Sequence, residues 1–264
     1  MRCLSNMLRQ VPEITIFFWA VKILTTAFGE SLSDFLVRAM NPIVAVLIGF
    51  VVFVAALVWQ FRASRYNAWI YWLTVAMVAV FGTMAADVVH IVLGISYLDS
   101  TIFFSAALIA IFARWYAVEK TLSIHSITTM RREIFYWATV MATFALGTAA
   151  GDMAAITLNL GYLESGLLFA ALIALITLMH YAAKLLLRME HRYLSRNAVL
   201  AFWLAYILTR PLGASFADWT GKTQVLGGLG WGDGVVSIGL AVLIVGFVAY
   251  LAMTRLDTTR ASAS

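Results

Sequence analysis

Cysteine occurs once in this chain of 264 residues, at position 3, and proline only three times. A lone thiol excludes a disulfide scaffold and any thiolate metal cluster. Charged residues make up 12% and histidine four positions, against 63% hydrophobic residues. Ordinary globular chains are about half apolar and about a quarter charged, so there is too little polar surface here to wet a soluble fold. The shortage runs along the whole length and leaves no stretch for a hidden soluble domain. A net charge of +5 would suit a nucleic-acid binder if the basic residues formed a patch. They fall between apolar runs instead, which points to a lipid bilayer and away from nucleic acid. The first apolar run carries Glu13, Lys22 and Glu30 and no small-residue cleavage site, so it reads as a retained helix and not a cleaved signal. Met7 competes with Met1 as the first residue made.

A helix needs about 20 mostly apolar residues to cross a membrane. Eight stretches qualify: 13–38, 42–61, 67–94, 98–119, 133–160, 163–188, 197–219 and 233–254. Turn formers separate them: Asn41-Pro42, Gly94 with Tyr97-Leu98-Asp99-Ser100, Gly161-Tyr162-Leu163-Glu164-Ser165, and Gly227-Gly228 with Gly230. The turns from odd to even helices are short and predict a tight hairpin for each pair. Arg2, Arg9, Arg62, Arg65, Lys120, Arg131, Arg132, Lys184, Arg188, Arg192, Arg196, Arg255 and Arg260 fall on one side, and only Arg38 and Lys222 on the other. By the positive-inside rule both termini are expected in the cytoplasm. The expected fold is an all-α, eight-helix bundle forming a single transmembrane domain, 1–264, in a bacterial inner membrane.

Self-comparison divides that domain into four two-helix repeats, approximately 11–62, 65–120, 130–190 and 196–255. Aligning the odd helices on Trp19, Trp72, Trp137 and Trp203 brings Gly29, Gly82, Gly147 and Gly213 into register ten residues later. Ser33, Ala86, Gly151 and Ala217 follow, and the next position is Asp34, Asp87, Asp152 or Asp218. A glycine with a small residue four positions on allows close approach of membrane helices. Trp and Asp are about 22 Å apart along the axis, placing Trp near the cytoplasmic interface and Asp near the outer one. Tryptophan at that depth ordinarily anchors the aromatic belt. Repeats pointing the same way predict a pseudo-fourfold or nested twofold bundle with four aspartates at one depth.

Carboxylates inside a membrane are costly and usually face a polar cavity, although hydrogen bonding to neighbouring helices or outer water would also satisfy them. Glu30 lies one turn before Asp34, and His90 three residues after Asp87, so each shares a face with its aspartate. Expected metal ligands are therefore Glu30, Asp34, Asp87, His90, Asp152 and Asp218. Lys22 and Arg210 are the opposing cations, either as ion pairs fixing helices or as gates. Met84 and Met153 stand beside the aspartate level as candidate soft ligands. His180 reads as a packing residue, while His125 and His191 read as solvated loop residues.

The Trp–Gly–Asp repeat, the opening Val11-Pro12-Glu13-Ile14-Thr15 with Phe18-Trp19 and Lys22, and Thr209-Arg210-Pro211-Leu212-Gly213-Ala214-Ser215 together resemble one bacterial family. It is a multi-pass membrane family made of four copies of a repeat of unknown function, with some members described as associated with copper resistance. The likeness covers nearly the whole chain. It implies an inner-membrane protein linked with metal resistance, and carries over Glu30, Asp34, Asp87, Asp152, Arg210 and Asp218. The fourth repeat departs from the pattern, with Ala214 where the others have Glu30, Thr83 and Thr148.

The leading expectation is a cation transporter, with copper or another divalent ion as cargo and protons as the exchange partner. Carboxylate and imidazole favour manganese, zinc or divalent copper; the family association points to copper. A periplasm-facing metal binder or sensor without transport is the alternative. An intramembrane enzyme is the weakest reading, because no histidine-rich triad, matched haem ligands or histidine-paired nucleophile appears.

Overall fold

The computed structural model describes residues 10–186 and 191–258. Cys3, the candidate starts Met1 and Met7, and the basic residues Arg2, Arg9, Arg188 and Arg260 lie outside the described residues. Eight long helices follow in order, and no strand occurs among the described residues: α1 Ile16–Ala39, α2 Pro42–Arg62, α3 Ala68–Asp87, α4 Tyr97–Glu119, α5 Met130–Asp152, α6 Tyr162–Leu186, α7 His191–Gly221 and α8 Asp233–Thr254. They occupy the stretches expected from hydropathy, with α7 starting earlier than residue 197.

Their starts are chemically marked. Thr15, Asn41, Asn67, Ser96 and Thr129 each accept a hydrogen bond from a backbone N–H of the first turn, satisfying donors that the helix itself leaves free. Asp99 reciprocates by accepting from the Ser96 hydroxyl at 2.6 Å. At the other end of α3 and α5 the winding loosens into π-helical turns, Val88–Val92 and Met153–Thr157, directly after Asp87 and Asp152. Such turns often accompany functional sites.

Seven helices are long and apolar enough to cross a membrane. The exception is α1, which has 24 residues but carries Lys22, Glu30, Asp34 and Arg38. The expected eight apolar spans thus become seven plus a charged helix that is wrapped by α3, α7 and α8.

The helices are arranged in two shells. The odd helices form an inner ring in which α1 packs on α3, α3 on α5, α5 on α7 and α7 back on α1. Two side-chain registers repeat around that ring. At one end, the ring of Phe18 meets Trp72 at 5.6 Å, Tyr71 meets Trp137 at 5.6 Å, Tyr136 meets Trp203 at 6.3 Å, and Phe202 returns to Trp19 at 5.6 Å. Further along, Gly29 faces Ala79, Gly82 faces Phe144, Gly147 faces Arg210, and Gly213 faces Thr26, so closely that a Cβ at any of them would clash. These glycines lie where helices nearly touch, as expected.

The outer shell corrects the hairpin expectation. Each even helix packs mainly on the odd helix of the next repeat: α2 on α3, α4 on α5, α6 on α7, and α8 on α1. Contact with the odd helix of its own repeat is slight for every one. A short connection brings two helix ends together, but the axes then diverge. The tryptophans are also corrected. Trp72, Trp137 and Trp203 are 1%, 3% and 4% exposed and form the ring's aromatic core; they are not belt anchors at a lipid interface.

Candidate functional site

Residues four apart on a helix share a face, drifting by about 40° per step. On the odd helices such a face lines the ring axis, and its residues form successive levels. Phe18, Tyr71, Tyr136 and Phe202 make the first level at the tryptophan end. Lys22, Val75, Val140 and Tyr206 make the second; Thr26, Ala79, Phe144 and Arg210 the third; Glu30, Thr83, Thr148 and Ala214 the fourth. All of these are buried. Asp34, Asp87, Asp152 and Asp218 make the fifth.

Arg210 enters the axis from α7 and is 0% exposed. Its Nη2 donates to Glu30 Oε2 at 2.6 Å on α1, to the Thr83 hydroxyl on α3, and to the Thr148 hydroxyl at 2.7 Å on α5. One nitrogen thus joins the other three inner helices. The lack of a polar side chain at Ala214 is explained as well, since α7 supplies the arginine one turn earlier. Pro211 lies within α7 and does not end it. Among the described residues, Arg210 Nε and Nη1 have no hydrogen-bond partner. Lys22 is 1% exposed, rests over the Phe144 and Tyr206 rings at 4.1 and 4.3 Å, and makes no hydrogen bond among the described residues. Of the two expected cations, Arg210 is therefore an ion-pair partner and Lys22 is held by aromatic faces.

Among the described residues, one group of three carboxylates comes together: Glu30, Asp34 and Asp218 place an oxygen each within 4.8 Å of one another. Asp87 and Asp152 flank this group within electrostatic reach of Glu30, and Asp152 also within reach of Asp218. Both are half-buried and, among the described residues, neither has a salt bridge or a hydrogen-bonded side-chain partner. Lys222, in the connection after α7, pairs with both Asp34 and Asp218, the latter at 3.3 Å. Arg38 bridges Asp34, at 3.1 Å, and Asp233 at the start of α8. Tyr97 and Tyr162, at the starts of α4 and α6, face the same carboxylates.

Two expected ligands fall away. His90 is engaged elsewhere, with Nδ1 against the Ile95 carbonyl at 2.6 Å and its ring stacked 3.5 Å from that of Tyr97; it does not join the carboxylate group. The Met84 sulfur points to Gly49 on α2, away from the axis. What remains is a set of oxygen donors, with Met153 directly after Asp152 as the remaining candidate sulfur. Lys222, Asp233, Tyr97 and Tyr162 went unrecognised as site residues. The i,i+4 spacing of Asp218 and Lys222 carried a signal for the first of them; the Glu30 register of Thr83 and Thr148 foreshadowed the Arg210 contacts.

The sequence matches the family described as Repeat of Unknown Function (DUF347) over residues 17–66, 70–121, 135–185 and 201–257. Each matched segment spans one odd helix and the even helix after it. No curated protein and no solved structure matches the chain. The protein belongs to that four-repeat family.

Proposed function

We propose that this member of the family is a multi-pass membrane protein that binds a divalent cation at the aspartate end of its inner ring and carries it across the bilayer. The observation behind this reading is the gathering of Glu30, Asp34 and Asp218 within 4.8 Å, with Asp87 and Asp152 beside them. Five acidic groups meet Arg210, Lys222 and Arg38, so the site holds more carboxylates than cationic side chains. Carboxylate oxygens suit hard and borderline ions such as Mn²⁺, Zn²⁺ or Cu²⁺. Monovalent copper would need more sulfur than Met153 alone supplies, since Met84 faces away. Copper resistance is consequently supported only through the divalent form.

The membrane setting rests on the apolar helices, whose even members expose large aliphatic side chains around most of their surface. Arg62, Arg65, Lys120, Arg131, Arg132 and Arg255 lie at the tryptophan end and Arg38 and Lys222 at the aspartate end. By the positive-inside rule the aspartate end faces the periplasm of an inner membrane and both termini face the cytoplasm. The eight helices then form a pseudo-fourfold bundle across the bilayer, α1 included.

A non-transporting receptor for the same ion is favoured by one feature: the aromatic level of Phe18, Tyr71, Tyr136 and Phe202 fills the axis at the tryptophan end. Proteoliposomes offered Mn²⁺, Zn²⁺ and Cu²⁺ separate the readings, alongside calorimetric titration of the detergent-purified protein. Flux that falls in Asp87→Asn and Asp152→Asn supports the transporter. Saturable binding without flux selects the receptor, and absence of both removes the cation reading.

A further inference from the structure

Polar groups continue along the ring axis beyond the carboxylates, through a region where an apolar core would be expected. Lys22 is the first, with Arg210 within electrostatic reach and the Tyr206 ring 4.3 Å away. No carboxylate pairs with its ammonium. The Tyr206 hydroxyl is buried and interacts with the hydroxyl of Tyr136. Tyr136 and Tyr71 share a hydrogen bond between their hydroxyls. Tyr71 then adjoins Tyr66, ring centres 5.8 Å apart, and the Tyr66 hydroxyl donates to Asp257 past the end of α8.

A second acid stands at that end. Glu133 is 0% exposed and within electrostatic reach of Tyr136. Its Oε1 accepts from Gln60 at 2.8 Å and from Trp137 at 3.3 Å, whereas Oε2 has no partner. Three phenols from α3, α5 and α7 thus converge between a buried amine and two buried acids. Packing alone does not require their hydroxyls, because the equivalent first-level positions on α1 and α7 are Phe18 and Phe202.

A phenol donates one hydrogen bond and accepts others, so it can take a proton on oxygen while releasing its own. Lines of ionisable and hydroxyl groups within a membrane are the usual material of proton relays. The geometry points to a proton path in which a proton reaching Lys22 from the carboxylate side is relayed by Tyr206, Tyr136, Tyr71 and Tyr66 to the acids Glu133 and Asp257 at the tryptophan end. Each hop breaks one N–H or O–H bond and forms another, and one proton is moved with no other change. Burial holds the Asp257 carboxyl above the usual carboxylate range, with the Tyr66 hydrogen bond opposing, which suits an acid that receives and releases protons nearer neutral pH. The path rests on the cation reading only for what it is coupled to.

Proteoliposomes containing a pH-sensitive dye, with a pH gradient imposed and the voltage clamped by potassium and valinomycin, test the path. Wild-type vesicles are expected to take up protons faster than protein-free vesicles, and faster again with a Mn²⁺ gradient. Tyr136→Phe, Tyr71→Phe and Lys22→Met each lower that rate about tenfold or more, while Mn²⁺ titration of the Phe variants in detergent gives wild-type affinity. Tyr136→Phe and Tyr71→Phe break the same hydrogen bond from opposite sides, so one serves where the other folds poorly. A merely structural bond would lower the melting temperature and leave proton uptake unchanged. Wild-type vesicles no faster than protein-free ones under both gradients, or Phe variants as fast as wild type, overturn the path. Tyrosine-dependent uptake in a protein that binds none of Mn²⁺, Zn²⁺ and Cu²⁺ would retire the cation reading and leave the path standing.

Discussion

Arg210 and the two unpaired aspartates make opposite demands on a single substitution. Removing the guanidinium strands Glu30 in a buried position, and breaking a buried ion pair costs about 3–5 kcal/mol. Arg210→Met is therefore expected to lower the melting temperature sharply, and adding Glu30→Gln to recover most of the loss; equal melting points for the single and double variants would refute the pairing. Asp87→Asn and Asp152→Asn remove charges that no salt bridge uses. Each is expected to leave melting nearly unchanged while weakening Mn²⁺ binding about tenfold, the worth of one charge-assisted contact of ~1.4 kcal/mol, as read by titration. At this scale the acids were legible, because four aspartates at one offset from four tryptophans survive any error in helix boundaries. His90 was not: three residues after Asp87 means a shared face only on an α-helix, and here the chain unwinds into a π-turn between them. That the tryptophans stand at the opposite end of the odd helices from the aspartates was readable, but their burial depended on a closed ring that periodicity alone does not specify.

At the scale of the element, the ring glycines act as spacers between adjacent helices. A methyl at Gly147 would meet the Arg210 stem and Pro211, and one at Gly213 would meet Thr26. Gly147→Ala and Gly213→Ala are expected to cost about 1–3 kcal/mol through overpacking, while Gly239→Ala on α8, with open space around it, serves as the neutral comparison in thermal unfolding. The connection after α7 is a folded unit too. Leu229, Gly230, Trp231 and Gly232 donate backbone hydrogen bonds back to Trp219, Lys222, Thr220 and Gly221, which fixes Lys222 over Asp34 and Asp218. Its ammonium occupies the position an incoming cation would compete for, so Lys222→Met is expected to tighten Mn²⁺ binding; weaker binding would make Lys222 a mere structural clamp. Helix positions were legible from hydropathy and capping residues, but helix partners were not. Short turns imply neighbours at one end of a helix, whereas each even helix lies along the odd helix of the following repeat, a pairing the turns do not encode.

For the whole molecule, the charge distribution gives a checkable orientation. In a Cys3→Ser background, single cysteines at Thr223 and Thr128 are expected to react with an impermeant thiol reagent from opposite sides of intact spheroplasts, with Thr223 accessible from outside. Labelling of both from one side would contradict the orientation. The two shells also predict unequal tolerance. Charged substitutions on exposed faces of even helices, for example Leu178→Arg, cost about 2.5–3.5 kcal/mol of insertion, measurable as loss of membrane-integrated protein, but leave the axis untouched. Because α8 is seated on α1 and α7 closes against it, the earliest of these eight helices to be synthesised is sheltered by the two latest. The helix that carries Lys22, Glu30, Asp34 and Arg38 therefore waits, incompletely covered, until α8 has been made. A truncation before Asp233 would injure α1 rather than the end that was cut.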